Sequence, residues 1–238
     1  MIDYFCISLK EIYIMALIKF GIVVVDARGK LGGHVFTKTR SGATLRTKVT
    51  PTNPRSTAQQ SARALLGLLS AQWRTLTEAQ REAWNAAVPN WSKTNIFGDS
   101  YNNSGKNLFV RLNTNLSVVF ATVVLSPPLP GEVLTPFMQP NTLSATSVIL
   151  DIANSDAGQR LEFWATAPLS AGISNFDGKY RIVTAGITHS SGSQDLTAAY
   201  DAKFGAPIVG QKVSFKIVAV NITTGQVTVP VIITNIVA

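Results

Sequence analysis

The spacing of apolar residues changes period twice along the chain. From Ala16 to Asp26, Ile18, Phe20, Ile22 and Val24 alternate with their neighbours, the period-two signature of a strand. Gly29 to Gly33 is a turn cluster. A second strand, His34 to Arg40, meets the hairpin signal Ser41-Gly42, and a third follows from Ala43 to Val49. Thr50 to Pro54 holds two prolines, which hold the backbone extended. At Ser56 the period lengthens. Ala62, Leu65, Leu66, Leu69, Trp73 and Leu76 recur at three and four residues, which puts them on one face of a helix. Ser56 with Gln59 fits a capping box, and Pro54 suits the approach to a first turn. Gly67 costs about 1 kcal/mol against alanine and signals a close crossing with another backbone. Thr77 with Gln80 forms a second box, so the helix breaks there and restarts, running to about Val88, where Pro89 and Asn90 stop it. A third helix begins at Ser104 and presents Leu108, Phe109, Leu112 and Leu116 on one stripe. Trp73, Trp84 and Trp91 read as packing residues, with ligand stacking as the alternative.

Beyond the third helix the period returns to two. Val118 to Leu125 is an apolar, β-branched run, and Ser126-Pro127-Pro128-Leu129-Pro130-Gly131 reads as a linker. Strands are expected over 132–138, 147–153, 160–165, 179–185, 194–200, 211–221 and 226–234, with Asn, Ser, Gly and Thr turns between them. Seven short strands without intervening helices argue for an antiparallel sandwich, immunoglobulin-like in outline. Pro230 favours an edge position or a bulge. The predicted fold class is α+β: an N-terminal β-hairpin arm and small helical unit, followed by a C-terminal immunoglobulin-like β-sandwich. The predicted divisions are a leader over 1–15, a basic hairpin and extended arm over 16–55, a helical unit over 56–125, a Pro-rich linker over 126–131 and the sandwich over 132–238. The leader is inferred because Met15-Ala-Leu-Ile-Lys reads as a start of its own.

Charge sharpens this division. Residues 1–115 carry 15 Lys and Arg against 6 Asp and Glu, and residues 116–238 carry 6 against 7, so the net charge of +8 belongs to the front. Arg28, Lys30, Lys38, Arg40, Arg46, Lys48, Arg55 and Arg63 follow one another with no acid among them. They are the candidate interaction residues, suited to an acidic face of a neighbouring subunit or to a phosphate backbone. Phe36 is the one aromatic in the hairpin, so base stacking has little support. Charged residues make up only 14% of the chain, a scarcity expected where neighbours cover much of the surface. The single cysteine, Cys6, excludes an intramolecular disulfide and a cysteine-built zinc site. No window approaches the roughly 18 apolar residues of a membrane span.

Several pieces in order resemble a known group: Gly32-Gly33 with HVFTKTRSGATLRTKV, then PTNPRSTAQQSAR, LSAQWRTLTEAQREAWN and SGKNLFVRLNTNL. This order is similar to largely uncharacterised proteins encoded among the structural genes of tailed bacteriophages, over residues 16–120. The resemblance implies a virion component located in the particle, and in the host cytoplasm during assembly. Its partners would be major capsid, portal, neck or tail subunits, with further copies of itself as a homo-oligomer. It carries no catalytic residues to transfer.

The chemistry of an enzyme is hard to assemble from these residues. Gly29-Lys30-Leu31-Gly32-Gly33 lacks the phosphate-loop form. Glu78 and Glu82 are a solvated i,i+4 pair, Asp151 and Asp156 make a second nominal pair, and His189 sits in a Thr-His-Ser-Ser turn with no evident acid partner. The expectation is a non-enzymatic protein without cofactor or metal. Two alternatives stand beside the subunit reading: contact with packaged nucleic acid, and a carbohydrate-binding module that stacks sugars on Trp164, Tyr180 and Tyr200.

Overall fold

The computed structural model describes residues 15–22 and 24–238. The leader expected over 1–15 therefore lies, apart from Met15, outside the described residues. The described residues open on four short strands, β1 (Met15–Ile18), β2 (Gly29–Leu31), β3 (His34–Thr39) and β4 (Gly42–Thr47), in one antiparallel sheet of order β1-β4-β3-β2. The strand expected over 16–26 stops at Ile18 for lack of a partner. Ile18 pairs with Ala43, and β4 begins one residue earlier, at the hairpin turn. Beyond it Ile22 and Val25 are exposed. The turn cluster at 29–33 also resolves differently: Gly29–Leu31 pairs with β3, leaving Gly32-Gly33 as a two-residue turn. Gly32 has φ +56°, a conformation that favours glycine.

The helices fall where the caps place them: α1 (Thr57–Thr75), α2 (Glu78–Ala87) and, after a 3-10 turn at Val88–Trp91 and a small hairpin of β5 (Lys93–Thr94) and β6 (Ser100–Tyr101), α3 (Gly105–Val118). Thr77 and Gln80 form the full reciprocal capping box. At α1 only half of the box is present. Ser56 Oγ accepts from the Gln59 N–H, but the Gln59 carbonyl oxygen is buried without a partner. Leu69, Leu76, Trp84, Val88, Leu108, Phe109 and Leu112 share one core, with the Trp84 and Phe109 rings edge to face at 5.3 Å. The close crossing expected at Gly67 is absent, for nothing lies within 4 Å of its Cβ position. The tight approach is at Gly105 instead, where a Cβ would stand 2.9 Å from the backbone of Trp84.

The apolar run 118–125 is not a strand: Val118 ends α3, and a buried asparagine takes the hydrogen bonds of Val124. Asn113 donates to the Phe109 and Val124 carbonyls and accepts from the Val124 N–H at 2.7 Å. The Pro-rich stretch then lies along the body. The Trp84 indole donates to the Leu125 carbonyl at 2.8 Å, the Trp91 indole to Pro128, and the Gly131 N–H to the Gln226 side chain.

Seven strands follow: β7 (Met138–Leu143), β8 (Val148–Ile152), β9 (Asp156–Ala165), β10 (Arg181–His189), β11 (Gly192–Asp195), β12 (Lys212–Asn221) and β13 (Val231–Ile236). They form two antiparallel sheets, β11-β8-β7 and β10-β9-β12-β13. Alternate residues of both, Val148, Leu150 and Ile152 facing Leu161, Phe163, Phe215 and Ile217, meet in a single core. The fold is thus mixed helix and antiparallel sheet. Two expected strands are corrected. The run 194–200 breaks at Asp195, whose carboxylate accepts from the Thr197 N–H. A helix, α4 (Thr197–Phe204), follows. Leu196 and Tyr200, four apart, fill the core from it. The stretch 132–137 has no regular structure before β7. Pro230 sits immediately before β13, where its missing N–H leaves no ladder bond unmade. The helices and these sheets are joined directly: Asn115 donates to the Gly225 carbonyl, Arg160 donates to the Val119 carbonyl at 2.8 Å, and Gly225 abuts the backbone of Leu112.

Candidate interaction surface

The eight basic residues singled out by the sequence do not form one patch. Arg28 and Lys38 both lie against Asp26, at 3.3 and 3.8 Å. Arg40, in the β3–β4 turn, donates to the Asn102 carbonyl. Arg63 donates to the Asn53 side chain at 2.9 Å. Arg55 is exposed at the head of α1 with φ +52°, and its carbonyl accepts from the Gln60 side chain. Lys30, Arg46 and Lys48 are left, all exposed and without an ion pair among the described residues. The register gathers these three. Lys30 pairs with Val35, and Val35 pairs with Arg46, so Lys30 and Arg46 share one cross-strand row on one face. Lys48, two residues beyond Arg46 with its N–H on the Gly33 carbonyl, continues that face.

This sheet is held to the body by polar contacts at its margin. Lys19 pairs with Asp99 at 3.1 Å and lies over the Phe97 ring, and Asn95 donates to the Ser41 carbonyl. Thr44, its hydroxyl 2.7 Å from that of Thr37, is the one buried residue of the sheet among the described residues. Sequence reasoning missed a second cationic spot. Arg111 of α3 stacks over the Trp91 ring and is half-buried. Burial, and then the Arg111 charge, push the Lys93 pKa down.

The proposed sugar platform does not assemble. Tyr200 is fully buried and its hydroxyl donates to the Thr166 carbonyl. Tyr180 is buried with its hydroxyl 2.7 Å from Ser214 Oγ. Trp164 lies on the outer face of β9, with the Lys216 ammonium over its ring at 4.5 Å. Beside it Glu162 is buried, accepting from the Trp164 indole N–H at 3.2 Å. Burial lifts the Glu162 carboxyl to about 7 against the pull of Trp164 and Lys216.

A third polar group lies at the far end of β9 and β10. His189 is not in an open turn but is the last residue of β10, 1% exposed and in register with Asp156. Its Nδ1 lies 3.3 Å from Gln159 Oε1 and its Nε2 3.2 Å from Asn154 Oδ1. The Gln159 amide in turn donates to Asp156 at 2.7 Å. So the acid partner that the sequence did not suggest is reached through a glutamine. Residues some 30 positions apart give no local signal of this. Among the described residues, no group of three or more His, Cys, Asp or Glu side chains is placed to hold a metal ion, and no helix is long and apolar enough to cross a membrane. Comparison with protein-family models, with curated proteins and with solved structures finds no match.

Proposed function

We propose that this chain is a non-enzymatic structural subunit of a bacteriophage particle, at the capsid surface, neck or tail, and that its N-terminal sheet and proline arm clasp neighbouring subunits. One observation carries the assembly reading: among the described residues, the sheet of β1 to β4 has two faces and a single buried residue. A sheet of that size gains stability only by packing a face against something, and the described residues offer it little more than the hairpin at 93–102. Leu31 at 70% exposure and Val49 at 57% add apolar surface to the same region. The particle assignment rests on the sequence resemblance over residues 16–120. We read the seven-stranded unit as immunoglobulin-like in outline, with sheets of three and four strands around one core and loops free to vary on the particle surface. Purified particles are expected to contain the protein at a fixed ratio to the major capsid protein. Its presence in infected-cell lysate alone, and not in washed particles, overturns the reading.

A specific observation favours a second reading, contact with packaged nucleic acid: Lys30, Arg46 and Lys48 share a face and have no acid beside them among the described residues. Three phosphate contacts give a log–log salt slope of roughly three on duplex DNA. The triple change to Glu at these positions then abolishes retention on duplex DNA, while Lys38→Glu leaves it. Retention unaffected by the triple change removes this reading and leaves the subunit reading in place.

A further inference from the structure

The His189 imidazole meets two acceptors. Asn154 cannot be turned round, because its Oδ1 accepts from the Phe137 N–H at 2.9 Å while its Nδ2 donates to the Thr135 carbonyl at 2.8 Å. Gln159 cannot either, since the reversed amide would set its oxygen against the Asp156 carboxylate that its Nε2 now reaches. Both ring nitrogens of His189 therefore face carbonyl oxygens that are already oriented. A neutral imidazole carries one N–H and one lone pair, so it satisfies one of these oxygens and points its lone pair at the other. Only the doubly protonated ring donates to both.

We infer that His189 acts as a proton-dependent latch on the segment 132–137, which joins the helical unit to β7, and that the latch is complete only when the ring takes up its second proton. The latch acts through Asn154, which grips this segment at Thr135 and Phe137, while the Ala153 N–H bonds the Phe137 carbonyl beside it. The compensating charge is Asp156, opposite His189 in the β9–β10 register and one amide away through Gln159. Other nearby charges are turned elsewhere: Arg160 toward the Val119 and Phe120 carbonyls, and Asp151 toward the Ser193 hydroxyl. Burial is the larger influence and holds the imidazole pKa below the ordinary histidine value against the raising effect of Asp156, so the second proton is taken up on acidification. The pair of fixed acceptors adds a demand that burial alone does not include. Loss of the proton sets a lone pair against an oxygen and loosens the grip on 132–137.

The chain has two histidines, and His34 is exposed on β3. The His34→Gln full-length chain therefore leaves His189 as its one imidazole without touching the latch. Nitrogen-15 shifts of that ring are expected to show one bare nitrogen at pH 7, with the second proton taken up below the ordinary histidine range. The Phe137 amide protection factor should fall several-fold as that proton is lost while amides of β12 hold theirs. In Asp156→Asn the ring should lose its second proton at lower pH. A ring in the His34→Gln chain that never takes up its second proton before the chain unfolds in acid, or Phe137 protection flat across the titration, overturns the inference.

Discussion

Among the described residues, four strands at the front bury one side chain, Thr44, whereas seven at the back enclose a shared core of fifteen buried residues. Both regions alternate apolar and polar residues and pair in antiparallel ladders, unbroken in register at the front and shifted in β9–β10 and β7–β8 at the back. The difference is coverage. The two back sheets face each other across that core, while among the described residues the front sheet meets little more than the hairpin at 93–102. A ladder of hydrogen bonds largely exchanges water partners for protein ones, so burial of the intervening side chains supplies most of the net stability. The front sheet has the pairing without that burial, which is why neighbours are invoked for it and not for the back unit.

The largest test of this contrast lies in the cores. Phe215→Ala should cost about 3–5 kcal/mol in urea unfolding, as expected for a large ring lost from a closed core. Leu45→Ala, half-buried in β4, should cost under about 1 kcal/mol in the isolated chain. Equal losses would mean that the front sheet is packed as tightly as the back.

Next in size is Glu162, a carboxyl buried on the outer face of the back unit. Its folded-state value, about 7, lies above the 4.5 of an ordinary glutamate. Between these values the folded chain holds a proton that the unfolded chain has released, so stability is greatest below about pH 4.5 and falls as pH rises toward 7. The drop is on the order of 3 kcal/mol. Glu162→Gln should flatten this slope in melts taken between pH 4 and 8, and an unchanged slope would assign it elsewhere.

Gly225→Ala should cost about 2 kcal/mol. A Cβ there falls 2.4 Å from the Leu112 carbonyl at φ +69°. The loss should be accompanied by weaker amide protection at the junction of helices and sheets. The smallest effect has the opposite sign. Gly67→Ala lies in mid-helix with open space around it and should stabilise the isolated chain by roughly 0.5–1 kcal/mol. If the same change impairs incorporation into particles, a neighbour's backbone comes close at that point.

What the letters alone determined was local. The caps Ser56, Thr77 and Ser104 and the stop at Pro89 set the helix limits, because a first turn needs side-chain acceptors and a proline cannot donate. Period-two runs located most of the back strands, and the acid-free stretch from Arg28 to Arg63 was plain in the sequence. Tertiary structure decided the rest. Whether Phe20 to Val24 extended β1 depended on whether β4 was long enough to pair with them. Whether Leu196 and Tyr200 lay on a strand or a helix depended on which spacing reached the core, since a short apolar run is compatible with both. The basic residues were visible one by one, but only register showed that Lys30 and Arg46 share a face while Asp26 engages Arg28 and Lys38. His189 could not be understood from its neighbours in sequence, because Asp156, Gln159 and Asn154 reach it through the pairing of β9 with β10 and the loop before them. Sequence sets what each residue can offer, and contacts between residues far apart in the chain set what it meets.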